Sequence, residues 1–471
     1  MKLPFPTNNH SPKTIAATIY AASPPYEPKS VLDLRGSPSP AAELEDHVLI
    51  TPQLEEWDSL MRELGLQDDP NPSPNSNPNL PDFPPATNAF DSSPFFTTDF
   101  GLLSGIPNYT QNPNTADVND WNPGFDYVDE LIQLAECLET NSLQLGHVIA
   151  ARLDQRLQSP SGKPLQRAAF YFKEALETLL TGSTRSPDLI QTIKAQKTFS
   201  TISPIPMFSG FTATQVVLDA MDGCATAVHV VDFEIGLGGH WASFIREISE
   251  ERGKPALRIS ALVTEDFSAE STLVRENLTQ FARELNVVFE IDFVPIRNFE
   301  CLYFKSVKFH DGEKVAVVLS PATFRRVGTG FLSDLRRLAP HVVVHVDGEG
   351  FGAVSYREAV IEGLELYSTV MESLEAAANL NGGGEWMRKI EEFVVYPKIE
   401  ERVGRIGGLG WREAMVGAGL RKVGMSQFAE FQAECLVRRV QVRGFHVSKR
   451  QGEMMLCWHD RVLVATSAWM F

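Results

Sequence analysis

The sequence feature that most constrains the fold is a glycine-rich segment that directly follows a short apolar run. The apolar run, residues 228–231, is typical of a buried strand, and from Trp241 onward apolar residues recur at helical spacing. Between the two lie Asp232, Glu234, Gly236, Gly238 and Gly239. Glycine permits a tight turn and lets the backbone approach a ligand or a neighbouring element closely. Strand, turn and helix together predict the first unit of a doubly wound α/β sheet.

Charge and composition divide the chain into two parts. The 471 residues carry a formal net charge of −18, and residues 1–124 hold 16 acidic against 5 basic side chains. That stretch also holds 20 of the 30 prolines, so it buries too little apolar surface to offset the entropy of ordering. We therefore predict a disordered acidic arm at 1–124 and an ordered, only mildly acidic region at 125–471.

Two segments of the arm differ from their surroundings. Residues 53–66 place four apolar side chains, from Trp57 to Leu64, on one helical face, which predicts a short amphipathic helix. Such a helix docks in a groove of a partner or packs on its own domain. Residues 90–100 mix aromatic and acidic side chains, a composition found in disordered activation segments and in simple spacers.

Cysteine spacing and hydropathy indicate whether the protein is secreted, membrane-bound or intracellular. The five cysteines are scattered without a Cys-x-x-Cys pair, which argues against a zinc ribbon or a disulfide framework and fits a reducing compartment. The N-terminal residues lack the apolar segment of a secretory signal, and no apolar run is long enough to span a bilayer. We therefore expect an intracellular protein that has no membrane partner.

Periodicity predicts helices first and a sheet afterwards. Leucine and aromatic stripes within 131–180 indicate at least three helices, which we expect to cap the sheet. Further strands are predicted at 257–263, 287–294, 315–319 and 341–346, and further helices at 271–285, 325–338 and 356–377. Near the C-terminus, antiparallel strands joined by hairpins are predicted at 445–449, 454–458 and 461–467.

These elements predict an α/β fold with a Rossmann-like, mostly parallel sheet and an antiparallel C-terminal hairpin. This is the layout of the class I methyltransferase sheet, although a shared layout does not carry function. The predicted helical cap spans about 125–222, and the predicted α/β core spans 223–471.

The methyltransferase-like layout raises the hypothesis of a small-molecule-binding or S-adenosylmethionine-dependent protein. Its ligand turn would consist of Glu234, Gly236, Gly238 and Gly239. An acid after the second strand, Glu265 or Asp266, would hold a ribose. Two observations count against this hypothesis: His240 stands where a last glycine is expected, and Ser320 begins a segment without the Asp or Asn that binds a substrate amine. Asp232 is expected to anchor a loop.

Other catalytic signatures are absent from the sequence. It contains no Walker loop, no serine-nucleophile elbow and no His-Glu-x-x-His pattern. We therefore predict no catalytic residue, no cofactor and no metal, and a non-enzymatic function.

Basic side chains supply one candidate surface for nucleic acid. The candidates are Arg325, Arg326, Arg336, Arg337, Arg438, Arg439, Arg443, Lys449 and Arg450. A groove assembled from them could bind phosphates, but they form no helix-turn-helix, basic region or zinc finger. The alternative is that each pair faces acidic side chains of its own domain.

Several separate motifs, in the same order, resemble those of the plant GRAS family of transcriptional regulators. The VHIID motif is matched by Val228, His229, Val230, Val231 and Asp232. The PFYRE, tryptophan-spacing and SAW motifs are matched by Tyr356, Arg357, Glu358, Trp411, Gly419, Trp458, Ser467, Ala468 and Trp469. Residues 131–180 and 277–285 resemble the two leucine-rich regions. Within the family, residues 166–176, 277–282 and 442–447 most resemble the scarecrow-like and hairy-meristem branch. Departures occur at Thr214, His240 and Met470.

The resemblance implies a nuclear transcriptional regulator of plant development, with an α-helical cap on a Rossmann-like core. It implies contacts with other transcription factors and co-regulators through the leucine-rich and VHIID regions, including homo- or heterodimers. Direct DNA binding has been proposed for the family, whereas the mild acidity of this chain favours recruitment through partners. Trp411, Trp458 and Trp469 are expected to be buried anchors of the C-terminal hairpin.

Overall fold

A computed structural model describes residues 126–471, apart from 184–187, 222–226, 251–254, 265–266, 350–352, 354, 382–383, 407–409 and 441. The predicted arm at 1–124 lies outside the described residues, as do its segments 53–66 and 90–100. Glu265 and Asp266, the two candidates for a ribose-binding acid, also lie outside them.

Among the described residues, five helices precede the first strand. They are α1 (Asp126–Glu139), α2 (Leu143–Arg156), α3 (Pro164–Thr181), α4 (Leu189–Ile202) and α5 (Pro204–Met221). Proline suits the first turn of α3 because the N–H that it lacks has no partner within the helix there. The same helix ends at Gly182, which adopts the left-handed conformation at φ 64°. The side chain of Asp188 caps α4 by accepting a hydrogen bond from the backbone N–H of Gln191.

The sheet alternates with helices up to its fifth strand. These elements are β1 (Ala227–Asp232), α6 (Gly239–Glu250), β2 (Ala256–Val263), α7 (Ser268–Glu284), β3 (Phe289–Pro295), α8 (Ile296–Leu302), β4 (Lys314–Leu319), α9 (Pro321–Val327), α10 (Leu332–Leu338) and β5 (Val342–Asp347). The remaining elements are α11 (Tyr356–Asn381), α12 (Gly384–Ile390), α13 (Tyr396–Gly404), α14 (Trp411–Gly417), β6 (Arg421–Val423), α15 (Gln427–Arg438), β7 (Phe445–Arg450), β8 (Glu453–Trp458) and β9 (Arg461–Met470).

The strands form one nine-stranded sheet in the order β3-β2-β1-β4-β5-β9-β8-β7, with β6 paired to β9. Strands β1 to β5 are parallel, and β9 runs antiparallel to β5 and β8. The fold is therefore α/β, with a mostly parallel sheet and antiparallel C-terminal strands, as predicted.

Successive side chains of β1 point to the two faces of this sheet. Val230 is fully buried among residues of α5, α6 and α7, including Trp241. Val231 is fully buried on the opposite face, in the cluster that contains Trp411 and Trp469. Because both faces are covered, the strand is continuously apolar and shows no alternation.

The helical layer is assembled from two separate stretches of chain. Helices α11 and α13 pack on α3 and share a hydrophobic core with α1 to α4. Arg167 of α3 joins the two stretches through a buried ion pair with Glu391, with 2.9 Å between Nε and Oε1. The predicted limits of cap and core remain predictions, but this layer takes in 356–404 as well as the helices before β1.

The prediction of one helix at 325–338 was wrong. Two short helices, α9 and α10, occupy this region, and α9 ends at Gly328 with φ 73°. That backbone conformation is left-handed and interrupts a right-handed helix. Sequence periodicity also failed to predict β6 and the helices α4, α5, α8, α12, α13, α14 and α15.

Candidate functional site

The carboxylate of Asp232 anchors the glycine turn after β1. Its Oδ1 accepts a hydrogen bond from the backbone N–H of Glu234 at 2.8 Å, and its Oδ2 accepts one from Nε1 of Trp241 at 2.7 Å. Asp232 and Trp241 are both buried. The turn and the first residues of α6 are thereby held to the end of β1, as expected for this aspartate.

Helices pack closely against the glycine turn on two sides. Gly238 has φ 74°, and a Cβ placed there would lie 3.1–3.2 Å from side-chain atoms of Leu278 and Val274. A Cβ at Gly210 would lie 2.7 Å from the Cβ of His240, so α5 also passes close to the turn. Gly238 therefore serves packing, whereas Gly236 and Gly239 have open space beside them.

His229 belongs to a polar network at the opposite, amino-terminal end of the parallel strands. Its Nε2 lies 2.9 Å from Oγ of Ser260, and its Nδ1 lies 3.0 Å from Nη2 of Arg258. The guanidinium of Arg258 also pairs with both carboxylate oxygens of Glu313, at 2.8 and 2.5 Å. Burial and the charge of Arg258 lower the pKa of His229 to about 4. Neutral His229 accepts from Arg258 and donates to Ser260, which is a structural role in the VHIID-like motif.

In open α/β sheets the ligand crevice lies outside the carboxyl ends of the strands where the strand order reverses, which here is between β1 and β4. The Ser320 side chain, after β4, lies near the Glu234 carboxyl, after β1. Glu234 remains accessible to solvent, yet desolvation by the surrounding protein raises the pKa of its carboxyl.

Ion pairs connect the residues that follow β4 and β5 with one another and with the helical layer. Arg326 of α9 makes two hydrogen bonds to the carboxylate of Glu401 on α13, at 2.5 and 2.7 Å. Nη1 of Arg325 lies 2.5 Å from Oε2 of Glu349. Arg402 donates to the backbone oxygen of Glu349 at 2.5 Å. Arg325 and Arg326, which were candidates for a DNA groove, thus face acids of their own domain.

Three donor atoms next to this crevice lack a hydrogen-bond partner among the described residues. They are Nε and Nη2 of Arg325 and the hydroxyl of Tyr367. Tyr367 is 3% exposed, and it lies close enough to Glu349 for that charge to act on its pKa. Burial and the charge of Glu349 raise the pKa of Tyr367, so the hydroxyl keeps its proton and can donate. Sequence patterns gave no signal for Tyr367 or Glu349.

The other candidate basic residues lie on α10, α15 and β7. Three of them pair locally: Arg337 with Asp334 at 3.0 Å, Arg438 with Glu434 at 2.9 Å, and Lys449 with Glu430. The exposed members that make no ion pair within the described part of the chain are Arg336, Arg439, Arg443 and Arg450. Internal pairing is thus the role of more than half of the candidate set.

Residues of the PFYRE-like motif lie at the start of α11. The backbone N–H of Glu358 donates to Oγ of Ser355 at 3.0 Å, which caps the helix. Arg357 forms a solvent-exposed ion pair with Glu136 of α1 at 3.2 Å. Tyr356 packs partly buried against the helical-layer core. Of these three residues, Arg357 joins α11 to α1.

The motif tryptophans are buried, as expected. Trp411 stacks on His345, and its ring meets that of Trp469 edge to face, with centroids 6.2 Å apart. Trp458 packs separately, against Phe445, with ring centroids 4.7 Å apart. The Ser467 hydroxyl accepts from Nε1 of Trp469 at 2.9 Å.

The other two residues of these C-terminal motifs are also structural. Ala468 is buried opposite Val344 of β5. Gly419 has φ 96° in the turn before β6, a conformation that favours glycine.

On two of the described helices, large exposed apolar side chains lie close together. On α2, Leu145 and Val148 are 54% and 57% exposed. On α15, Phe428 and Phe431 are 44% and 59% exposed. Residues three apart lie on one side of a helix, so each pair forms a small apolar patch.

The described residues offer neither a metal-binding cluster nor a helix that could span a membrane. No group of three or more histidine, cysteine, aspartate or glutamate side chains is placed to hold a metal ion there. No helix of that part of the chain is long and apolar enough to cross a membrane.

Comparison with known proteins identifies relatives along most of the chain. Residues 127–470 match the model of the GRAS domain family. The chain is 44% identical over 497 residues to Scarecrow-like protein 15 of Arabidopsis thaliana, covering 96% of this chain and 100% of that protein. Scarecrow-like protein 6 of the same species is 35% identical over 387 residues, covering 77% and 68%.

A solved structure shares the fold. The crystal structure of SCL7 in Oryza sativa matches with a TM-score of 0.57 at 22% identity, covering 73% of this chain and 99% of that one. At this identity the match concerns the fold alone.

Proposed function

The chain belongs to the GRAS domain family, and on that premise we propose that it is a nuclear regulator of transcription in plant development. It works through contacts with other transcription factors and co-regulators, and it catalyses no reaction. DNA is reached through those partners.

The exposed apolar patch on α2 carries this proposal. Leu145 and Val148 project from the helix, while Ile149 and Leu153 on its other side are buried in the helical layer. Contiguous apolar side chains with a polar rim mark protein-binding sites. The polar rim consists of Gln144, His147 and Arg152. This helix lies in the stretch that resembles the first leucine-rich region.

The proposed occupant of the patch is a second GRAS-domain chain, in the first instance a second copy of this one. The direct test is light scattering of the full chain over a range of concentrations. The variant Leu145→Glu/Val148→Glu is expected to remain monomeric where the unchanged chain forms dimers, with the same melting temperature. A matched control, Gln155→Glu/Gln158→Glu, adds the same charge at and just beyond the C-terminal end of this helix, outside the patch and its rim, and should still dimerise.

The same variants connect dimer formation with regulation. In a reporter assay in plant cells, Leu145→Glu/Val148→Glu should lose the regulatory effect, and the glutamine control should keep it. If Leu145→Glu/Val148→Glu kept the regulatory effect, α2 would not be the surface through which the protein binds its partner.

A second candidate function is binding of a small molecule in the crevice at the switch point. The supporting observation is the pair of side chains with unpaired donors, Tyr367 and Arg325. Their three donor atoms fit an acceptor group of a ligand, such as a carbonyl or carboxylate. The close packing of Gly238 counts against the methyl-donor version of this idea.

Calorimetry of the full chain with S-adenosylmethionine tests whether the small molecule is a methyl donor. Micromolar binding that is lost in Gly239→Trp, where the open side of the turn is filled, would support a methyl-donor site. No heat at millimolar concentration excludes that donor.

A further inference from the structure

Helix α15 has an apolar outer face in addition to its buried inner face. Ala429 and Ala433 pack inward against Phe208 and the strands β8 and β9. On the outside, Phe428 and Phe431 are 44% and 59% exposed. Two neighbouring phenylalanines in water are unfavourable unless something covers them, because each ring offers a large apolar area.

Unpaired positive charge lies at the C-terminal end of α15 and on β7, the strand that packs against this helix. The acids of α15, Glu430 and Glu434, already pair with Lys449 and Arg438. Exposed arginines without an ion pair in the described part of the chain follow at Arg439, Arg443 and Arg450. An occupant that combines apolar rings with negative charge would therefore complement this face.

One segment of the chain itself has this chemistry. Residues 90–100, which lie outside the described residues, contain four phenylalanines and two aspartates and no lysine or arginine. The phenylalanines are Phe90, Phe95, Phe96 and Phe100, and the aspartates are Asp91 and Asp99. The first 124 residues carry 16 acidic against 5 basic side chains, so a contact with arginines is electrostatically favourable.

The connecting chain is long enough for the segment to reach α15. Residues 101–125 separate it from α1, and such a length spans at most about 80 Å when extended. A domain of this size has a radius of gyration of about 20 Å, so every point of its surface is within reach. Tethering also gives a local concentration on the order of millimolar, so a weak intrinsic affinity suffices.

We propose that residues 90–100 dock on the outer face of α15 in the same chain, with phenylalanines over Phe428 and Phe431 and aspartates beside the arginines. The docked segment shields this apolar face until a partner that binds either element displaces it. This surface is distinct from the α2 patch, so the proposal stands or falls independently of the proposed dimer.

Cys435 reports directly on this docking. It lies one helical turn beyond Phe431 on α15 and is half-buried, whereas Cys301 on α8 is exposed. The experiment measures alkylation rates of both thiols in the full chain by peptide mass spectrometry. In Phe95→Ser/Phe96→Ser, alkylation of Cys435 should accelerate on the order of tenfold if the segment is docked nine-tenths of the time. The rate at Cys301 should stay constant.

Two more variants and one dilution series complete the test. Phe83→Ser changes a phenylalanine of the arm outside the segment and should leave the Cys435 rate unchanged. Arg439→Glu/Arg443→Glu should accelerate it, because the aspartates are then repelled. Equal Cys435 rates in the unchanged chain and in Phe95→Ser/Phe96→Ser would overturn the proposal. Protection that disappears on dilution would overturn it too, because docking would then be between chains.

Discussion

The imidazole of His345 stacks on the indole of Trp411, with ring centroids 3.6 Å apart and planes inclined by 20°. His345 lies on β5 opposite Ser467 of β9 and has no exposed surface. Neither ring nitrogen has a hydrogen-bond partner among the described residues. Burial and the charges of Arg412 and Lys422 lower the pKa of His345 to about 3, so the ring is neutral in the folded protein.

The neutral His345 makes the stability of the domain depend on pH. Its pKa is about 6.5 in the unfolded chain, so below that pH the unfolded state binds a proton that the folded state does not. Stability is full above pH 6.5 and falls towards pH 3, by up to about 1.4 kcal/mol per pH unit for this one proton. Urea unfolding at pH 7 and pH 5 measures this loss.

Substitution identifies the contribution of this histidine. His345→Phe keeps a stacked ring and removes the titrating group, so the loss between pH 7 and pH 5 should shrink. A remaining loss is expected from buried His229, whose pKa is also lowered. An identical pH dependence in His345→Phe would show that His345 is protonated in the folded state.

Trp469 anchors the antiparallel strands to the parallel part of the sheet. It is 2% exposed and packs edge to face on Trp411. Trp469→Ala should lower the free energy of unfolding by about 3–5 kcal/mol, the usual cost of removing a large buried ring. Met470→Ala changes an exposed neighbour and should cost little. If Trp469→Ala kept its melting temperature but lost the regulatory effect in the reporter assay, Trp469 would contact a partner and would not be a stability anchor.

The hydrogen bond between Asp232 and Trp241 should be measurable by a double-mutant cycle. Asp232→Ala leaves the buried Nε1–H of Trp241 unpaired, which should cost about 1–3 kcal/mol beyond the loss of side-chain packing. In the Trp241→Phe background the same change should cost less, because no donor remains to be stranded. Equal costs in both backgrounds would mean that the two side chains do not interact in solution.

Sequence patterns predicted the parts of this fold that rest on periodicity and chain order. The strands at β1, β2, β4 and β5 and the C-terminal hairpin follow from apolar runs and turn residues, and the structure places them as predicted. The anchoring role of Asp232 was predictable because an acid at the end of a strand often caps the following turn.

Contacts between residues far apart in sequence were not predictable from local patterns. Arg326 meets Glu401 across 75 positions, and neither residue carries a signal for the other. The break at Gly328 overrode the helical periodicity on both sides of it. Tyr367 lies in a leucine-rich helix, where nothing distinguishes an aromatic ring with an unpaired hydroxyl from an ordinary core residue.

A DNA-binding titration of the full chain at physiological salt, with random-sequence competitor, tests most directly whether this regulator works through partners. The account predicts weak, sequence-blind binding, because most of the candidate basic residues pair with acids of their own domain. A nanomolar, sequence-specific complex that weakens steeply with salt would contradict it. Loss of such a complex in Arg336→Glu/Arg439→Glu/Arg443→Glu/Arg450→Glu would then locate the DNA on the exposed arginines.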